Sequence, residues 1–236
     1  MSVFARLVEH LADLLTPLFH ASAAAAAIVL FTALVRLLVH PLSRAAARGR
    51  RARAALQPEI DALRARHARD PERFQRAVLE LHAREKVSPL SGCLPGLLQL
   101  PAFFLLYHLF SSTTIGGERN SLLDHRLFTA PLGGRWADAL ADGGVFGPAG
   151  LVYLGLFALV AAVATVNYRR ARRTMAGRPA PAVGGDQVPG LAAVTRVTPF
   201  LSFFTLVSVA FVPLAAALYI VTSTAWSAAE QALLYR

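Results

Sequence analysis

The sequence predicts an all-α protein that crosses a membrane five times. Three observations carry that reading. Hydrophobic residues make up 55% of the 236 positions and the mean hydropathy is +0.48, yet the formal net charge is +10. Such apolarity and such basicity do not belong together in one soluble domain. The apolar residues gather in runs of about 20, and a helix rising ~1.5 Å per residue needs that many to cross ~30 Å of hydrocarbon. Finally, arginines follow directly on several of these runs, as expected where a span emerges into the cytoplasm.

Residues 1–20 come first. Phe4, Leu7, Val8, Leu11, Leu14, Leu15 and Leu18 recur at helical spacing, with Arg6, Glu9 and Asp13 on the other face. This pattern predicts a short amphipathic helix lying in the membrane interface. The mixed-sign start argues against a cleavable signal peptide. The first span, 21–42, carries Arg36 about one to two turns from its end. A guanidinium near a helix centre costs about 2.5–3.5 kcal/mol on translocon scales, so it needs water, a partner or a task. Two readings are open on depth alone: Arg36 snorkels to the headgroups, or it is functional.

Arg44, Arg48, Arg50, Arg51 and Arg53 follow Pro41, which puts residue 43 onward in the cytoplasm and the N-terminus outside. Residues 43–87 then read as a helical hairpin with two apolar stripes, Leu56/Ile60/Leu63 and Phe74/Val78/Leu81. Asp70-Pro71 breaks the first helix and starts the second, Asp as N-cap and Pro at N1. Glu72/Arg76 and Glu80/Arg84 are i,i+4 pairs of a few tenths of a kcal/mol each.

The second span, 88–112, contains Pro95 and Pro101, with Gln99 between them and His108 beyond. Residues 113–147 have low net charge, which suits the outer side, and Leu122, Leu123, Leu127 and Trp136 predict partial packing on the membrane surface. The third span, 148–168, ends in Arg169, Arg170, Arg172 and Arg173, again cytoplasmic. A Gly/Pro-rich linker within 169–190 leads to the fourth span, 191–212, and the fifth, 214–234, hinged at Pro213. Five spans from an external start leave the C-terminus in the cytoplasm.

The functional classes narrow in the same way. The basic residues are all arginine except Lys86, and they sit beside apolar spans with no recognition motif for nucleic acid. Cys93 is the only cysteine, so no intrachain disulfide is possible. The histidines His10, His20, His40, His67, His82, His108 and His125 are scattered, without metal-ligand spacing. No phosphate-binding glycine loop occurs. Neither an enzyme nor a cofactor is expected.

Residues 84–104, REKVSPLSGCLPGLLQLPAFF, closely resemble the second core span of the YidC/Oxa1/Alb3 membrane protein insertases. Val212–Arg236, VPLAAALYIVTSTAWSAAEQALLYR, is similar to that family's last span, and Gln57-Pro58-Glu59 with the Asp70-Pro71 break is similar to its cytoplasmic hairpin. Arg36 falls where the family keeps a first-span arginine. The resemblance covers about residues 20 to 236 and most looks like the Gram-positive arrangement of the bacterial plasma-membrane protein. It implies a hydrophilic groove, open to the cytoplasm and to lipid and closed outside, in which Arg36 receives the tail of a client protein. By position Gln99 resembles a groove-facing glutamine, and Tyr219 and Ile220 resemble a substrate-contact pair. Thr224 stands where the family usually has Asn, Glu230 where the first Gln is usual, Ile220 where an aromatic is usual, and Ser88 where Asn is usual before Pro89. The implied partners are nascent membrane proteins, membrane lipids, a Sec-type translocon and the ribosome. Ending at Arg236, the chain lacks the basic tail by which some relatives dock ribosomes, which argues against contact through that tail.

Two other classes remain open. A small transporter or channel would use Arg36 to bind an anion or gate a pore, though five spans without an internal repeat speak against a repeat-built transporter. An assembly factor would hold membrane subunits together without inserting them.

Overall fold

The computed structural model describes residues 2–87, 94–176 and 201–234. The segment that includes Cys93 and most of the 169–190 linker lies outside them. So does the start of the fourth expected span, residues 191–200.

The described chain is mostly helical. Helix α1 (Ser2–Phe19) meets a 3-10 turn at His20–Ser22, where His20 takes a left-handed φ of 47°. That turn reverses the chain, so α1 packs back along α2 (Ala23–Leu38). Val8 and Ala12 of α1 join the same buried cluster as Ala24, Ala27 and Ile28 of α2. The amphipathic pattern thus has an internal cause as well as any interfacial one, since its apolar face covers a neighbouring helix.

Helices α3 (His40–Ala55), α4 (Gln57–Arg66) and α5 (Pro71–Arg84) form the polar arm. α4 and α5 pack together, and Arg84 reaches across to Glu59 at 2.9 Å. Arg84 also pairs with Glu85 at 3.0 Å, and no contact to Glu80 accompanies these, so the cross-helix partner displaces the expected i,i+4 one. Leu56 and Leu81 are buried, whereas Ile60, Leu63, Phe74 and Val78 are half-buried. The Asp70 carboxylate accepts from the Arg73 N–H at 3.0 Å, satisfying one of the free donors at the start of α5. Asp70→Ala is expected to cost about 1 kcal/mol through loss of this cap, read as earlier proteolysis between residues 66 and 71.

Helix α6 (Leu94–Ser111) runs through Pro101 without interruption. Residues 112–147 then fold into two short antiparallel pairs, β1 (Thr114–Ile115) with β2 (Glu118–Arg119) and β3 (Arg126–Leu127) with β4 (Ala130–Pro131), before α7 (Trp136–Gly143). Several of its apolar residues pack inward. Leu122, Ala130 and Leu132 are fully buried and belong to the main core. Asn120 Nδ2 donates to the Leu109 and Ser112 carbonyls, both at 2.9 Å, and so closes the C-terminal end of α6. Trp136 packs its ring on Tyr153 and Phe157, at 5.7 and 5.3 Å between centroids.

Helix α8 (Pro148–Ala176) is continuous through the arginines at 169–173, so the helix outruns the expected span by about two turns. Helices α9 (Leu201–Phe211) and α10 (Leu214–Leu234) flank Pro213. At the start of α10 the Leu214 and Ala215 N–H groups donate to the Gly134 and Leu132 carbonyls, each at 2.9 Å. The 112–147 segment therefore caps α10 as well as α6. The bundle has two unlike ends: a loop end filled by this segment, and an arginine end where α3 and the tail of α8 emerge. Among the described residues, Val3–Leu38 and Pro148–Arg173 are long and apolar enough to cross a membrane, and Leu100–Ser111 is a shorter apolar helix. The His20–Ser22 turn divides the first of these, leaving α2 as its bundle-facing half.

Candidate functional site

Two helices with polar faces meet inside this apolar bundle. Thr32 and Arg36 on α2 and His40 just beyond it recur every four residues, so they lie along one side of a nearly continuous helical path. On α10 Tyr219, Ser223, Ser227 and Glu230 are spaced by four, four and three, again a single face. α2 and α10 pack against each other with these faces in register.

The contacts run in rungs from the loop end to the arginine end. Thr32 is buried and returns its hydroxyl to the Ile28 carbonyl of its own helix at 2.7 Å. Arg36 is half-buried and donates to the Ser223 hydroxyl oxygen, from Nε at 3.0 Å and from Nη2. Ser223 is buried, and Ser227 donates to its backbone carbonyl at 3.0 Å. Last, His40 Nδ1 meets Glu230 Oε1 at 2.5 Å, with the carboxylate side chain only 11% exposed.

Beside the upper rungs lies a cavity of about 270 Å³ bordered by α2, α6 and α10. Arg36, Thr32, Tyr219 and Ser227 supply its polar lining, and Leu100, Phe103 and Leu106 of α6 its apolar lining. Tyr219 is held there by rings on both sides, Phe103 at 5.6 Å and Phe110 at 5.8 Å, and its hydroxyl points to the Phe103 carbonyl at 3.4 Å. A guanidinium carries five N–H donors in a fixed fork. Ser223 takes two of these contacts, while the group still borders the cavity. The arrangement can hold water and present positive charge to an anionic or polar segment without any covalent chemistry.

The structure sorts the expected residues. Arg36 and Tyr219 line one cavity. Ile220 is half-buried and packs on the core. Thr224 lies on another face of α10, where it donates to the Ile220 carbonyl at 2.7 Å and borders a small pocket with Val160, Ala164 and Thr205 of α8 and α9. It does not share the cavity of Arg36. The backbone of Gln99 lies in α6, and its side chain is outside the described residues. Sequence reasoning missed Ser223, Ser227 and His40 as members of the site. The four-residue spacing from Thr32 through Arg36 to His40 was the available signal.

A helical membrane protein with an arginine in a polar seam is the class that fold and site define. The family model of the 60Kd inner membrane protein matches residues 15–236, and the chain belongs to that family, the one the sequence resembles. A membrane protein insertase YidC of Anaeromyxobacter sp. is 44% identical over 81 residues, 34% of this chain and 15% of the relative. The YidC of Paracoccus denitrificans is 44% identical over 87 residues, 37% of this chain and 14% of the relative. That of Clostridium perfringens is 39% identical over 87 residues, 37% of each chain. In each case the match spans well under half of the curated relative's length. The family is one of inner-membrane proteins, in keeping with the long apolar helices.

Proposed function

We propose that this chain is a membrane protein insertase that receives the translocated tail of a newly made membrane protein in the Arg36 cavity. The observation that carries the reading is a half-buried guanidinium, held by Ser223 and bordering a cavity, in a polar seam between two largely apolar helices. The relatives are named membrane protein insertases, and that name supports the class of activity proposed. Five spans, formed around α2, α6, α8, α9 and α10, build the groove, with Arg36 and Tyr219 as its contacts; the family resemblance adds Gln99 and Ile220.

The physics needs no nucleotide. A wet cavity shortens the distance over which a polar tail is desolvated. Transfer of the client's apolar segment into lipid supplies the driving force. The filled loop end blocks passage of water through the bundle, while the arginine end admits the tail. Clients are nascent membrane proteins, handed over by a ribosome or shared with a Sec-type translocon. The test is reconstitution of the full chain in liposomes with a single-span client. Protease-protected client should accumulate with the protein present, and equal protection in empty liposomes would overturn the proposal.

The same reading fixes a topology with the N-terminus outside and the C-terminus in the cytoplasm. Arg48→Cys and Arg172→Cys, made in a Cys93→Ser background, should both escape membrane-impermeant thiol reagents in intact cells. Labelling of either from outside would reverse the orientation of the bundle.

A further inference from the structure

Arg36 has no carboxylate of its own. Among the described residues no acidic group lies within ion-pair distance of it, and Glu230, the acid of the same seam, is taken by His40 at 2.5 Å. The Ser223 hydroxyl receives Nε and Nη2, whereas Nη1 is accessible and meets no acceptor among the described residues. The hydroxyls around the cavity direct their protons to backbone carbonyls: Thr32 to Ile28 at 2.7 Å, Ser227 to Ser223 at 3.0 Å and Tyr219 to Phe103 at 3.4 Å. What remains is one half-buried cation with free donors, facing a wall of Leu100, Phe103 and Leu106. Such a cation is stabilised by an anion that accepts those donors.

The wall gives that anion a shape. Arg36 lies in the last turn of α2, toward the arginine end, and α6 runs from that end to the loop end, where Asn120 closes it. Leu100, Phe103 and Leu106 are therefore successive steps into the bundle, covering ~9 Å. Among the described residues Leu100 is 44% exposed, so the wall is reachable from outside, whereas Leu106 is 4% exposed. A phospholipid in the leaflet at the arginine end has the same polarity, phosphate at the membrane surface and chain toward the midplane. At about 270 Å³ the cavity is just below the usual range of ligand pockets, about 300–1,000 Å³, so it takes the phosphate and part of one chain while the rest of the lipid stays in the bilayer.

We propose that the Arg36 cavity is a binding site for an anionic phospholipid, with its phosphodiester on the guanidinium and one acyl chain along Leu100, Phe103 and Leu106. The inference needs the membrane setting of the bundle but not the insertase reading, so either can fail alone. Two features select the ligand. A guanidinium fork matches phosphate oxygens, and a lipid with no cation in its headgroup leaves that attraction undiminished, whereas the choline of a zwitterionic lipid offsets it. The apolar wall favours a phosphate that carries a chain over inorganic phosphate, which gains nothing from it.

The experiment uses the full chain in phosphatidylcholine vesicles that contain a trace of phosphatidylglycerol or phosphatidylcholine with a diazirine midway along one chain. After illumination, cross-links are mapped by mass spectrometry. The measured quantity is the phosphatidylglycerol-to-phosphatidylcholine labelling ratio at Phe103 and Leu106, divided by the same ratio at Leu151 and Leu159, exposed residues of α8 away from its arginines. Label on the buried Leu106 marks a chain inside the cavity. The expected enrichment is roughly three- to tenfold, less than a whole charged hydrogen bond because both lipids bring a phosphate. Arg36→Gln should bring it to parity, and Arg36→Lys should keep most of it, since a point charge still attracts phosphate. Millimolar inorganic phosphate should leave the enrichment unchanged. Parity in the wild type overturns the proposal, and so does an enrichment that survives Arg36→Gln. Loss of the label on adding inorganic phosphate also overturns it, by making the site one for a free anion. The wild-type ratio needs no variant, so the proposal is decided even where Arg36→Gln fails to fold.

Discussion

Arg36→Ala is expected to lower the insertion of a client with an acidic tail by about ten- to hundredfold, because hydrogen bonds to a charged group contribute about 1.5–3 kcal/mol each in a partly dehydrated site. Arg36→Lys should retain much of the activity, since a point charge still attracts a carboxylate. It should not retain all, because an ammonium cannot present the fork that now grips the Ser223 hydroxyl while facing the cavity. Neutralising the client tail should narrow the gap between wild type and Arg36→Ala, the coupling expected of two partners. A snorkelling arginine predicts the opposite: removal of an expensive charge with insertion unchanged. Equal insertion of acidic and neutral clients by wild type and Arg36→Ala would remove the groove charge from the mechanism.

The second large effect concerns the loop end. Leu132 is fully buried, and its carbonyl accepts from Ala215 at the start of α10. Leu132→Ala should destabilise the bundle by about 2–5 kcal/mol, the range for a buried leucine truncated to a cavity. The expected readouts are a lower Tm in detergent and new proteolysis within 113–147. Resistance equal to wild type would mean that the segment is held by its backbone bonds and not by its packing.

Much of this architecture was written in the sequence, for reasons that differ by element. Long helices have a period and a length, so α2, α8 and α10 follow from apolar runs, and α5 starts where Asp70 and Pro71 say it should. The 112–147 segment has neither period nor length. Its strands are two residues each, and Leu122 and Leu132 are buried by partners from other helices, so a local pattern read it as surface. The site divides in the same way. Arg36 was visible because a charge in an apolar run is anomalous on its own. Ser223 was not, because its partner lies 187 residues away and a serine on an apolar helix is unremarkable until a guanidinium faces it. Glu230 stood out only as a departure from the family's usual Gln; its partner His40, 190 residues away, did not. Thr224 lies on another face of α10 than Ser223. One residue along a helix turns the side chain by about 100°, enough to move it from the seam to the α8 and α9 side.

The backbone bonds that cap α10 also make it a lever. Its first turn is clamped to the Gly134 and Leu132 carbonyls, while its far half is tied to its neighbours through side chains, Glu230 to His40 among them, and through Arg170, which reaches the Ala228 carbonyl. A rod hinged at one end sweeps its widest arc at the other. Glu230 lies sixteen residues from the clamp, about 24 Å along the axis, so a tilt of about 10° displaces it by roughly 4 Å while Leu214 barely moves. That travel is enough to part His40 from Glu230. In the proposed insertase, an opening confined to the arginine end would leave the loop end sealed, so that entry for a client would not become a leak.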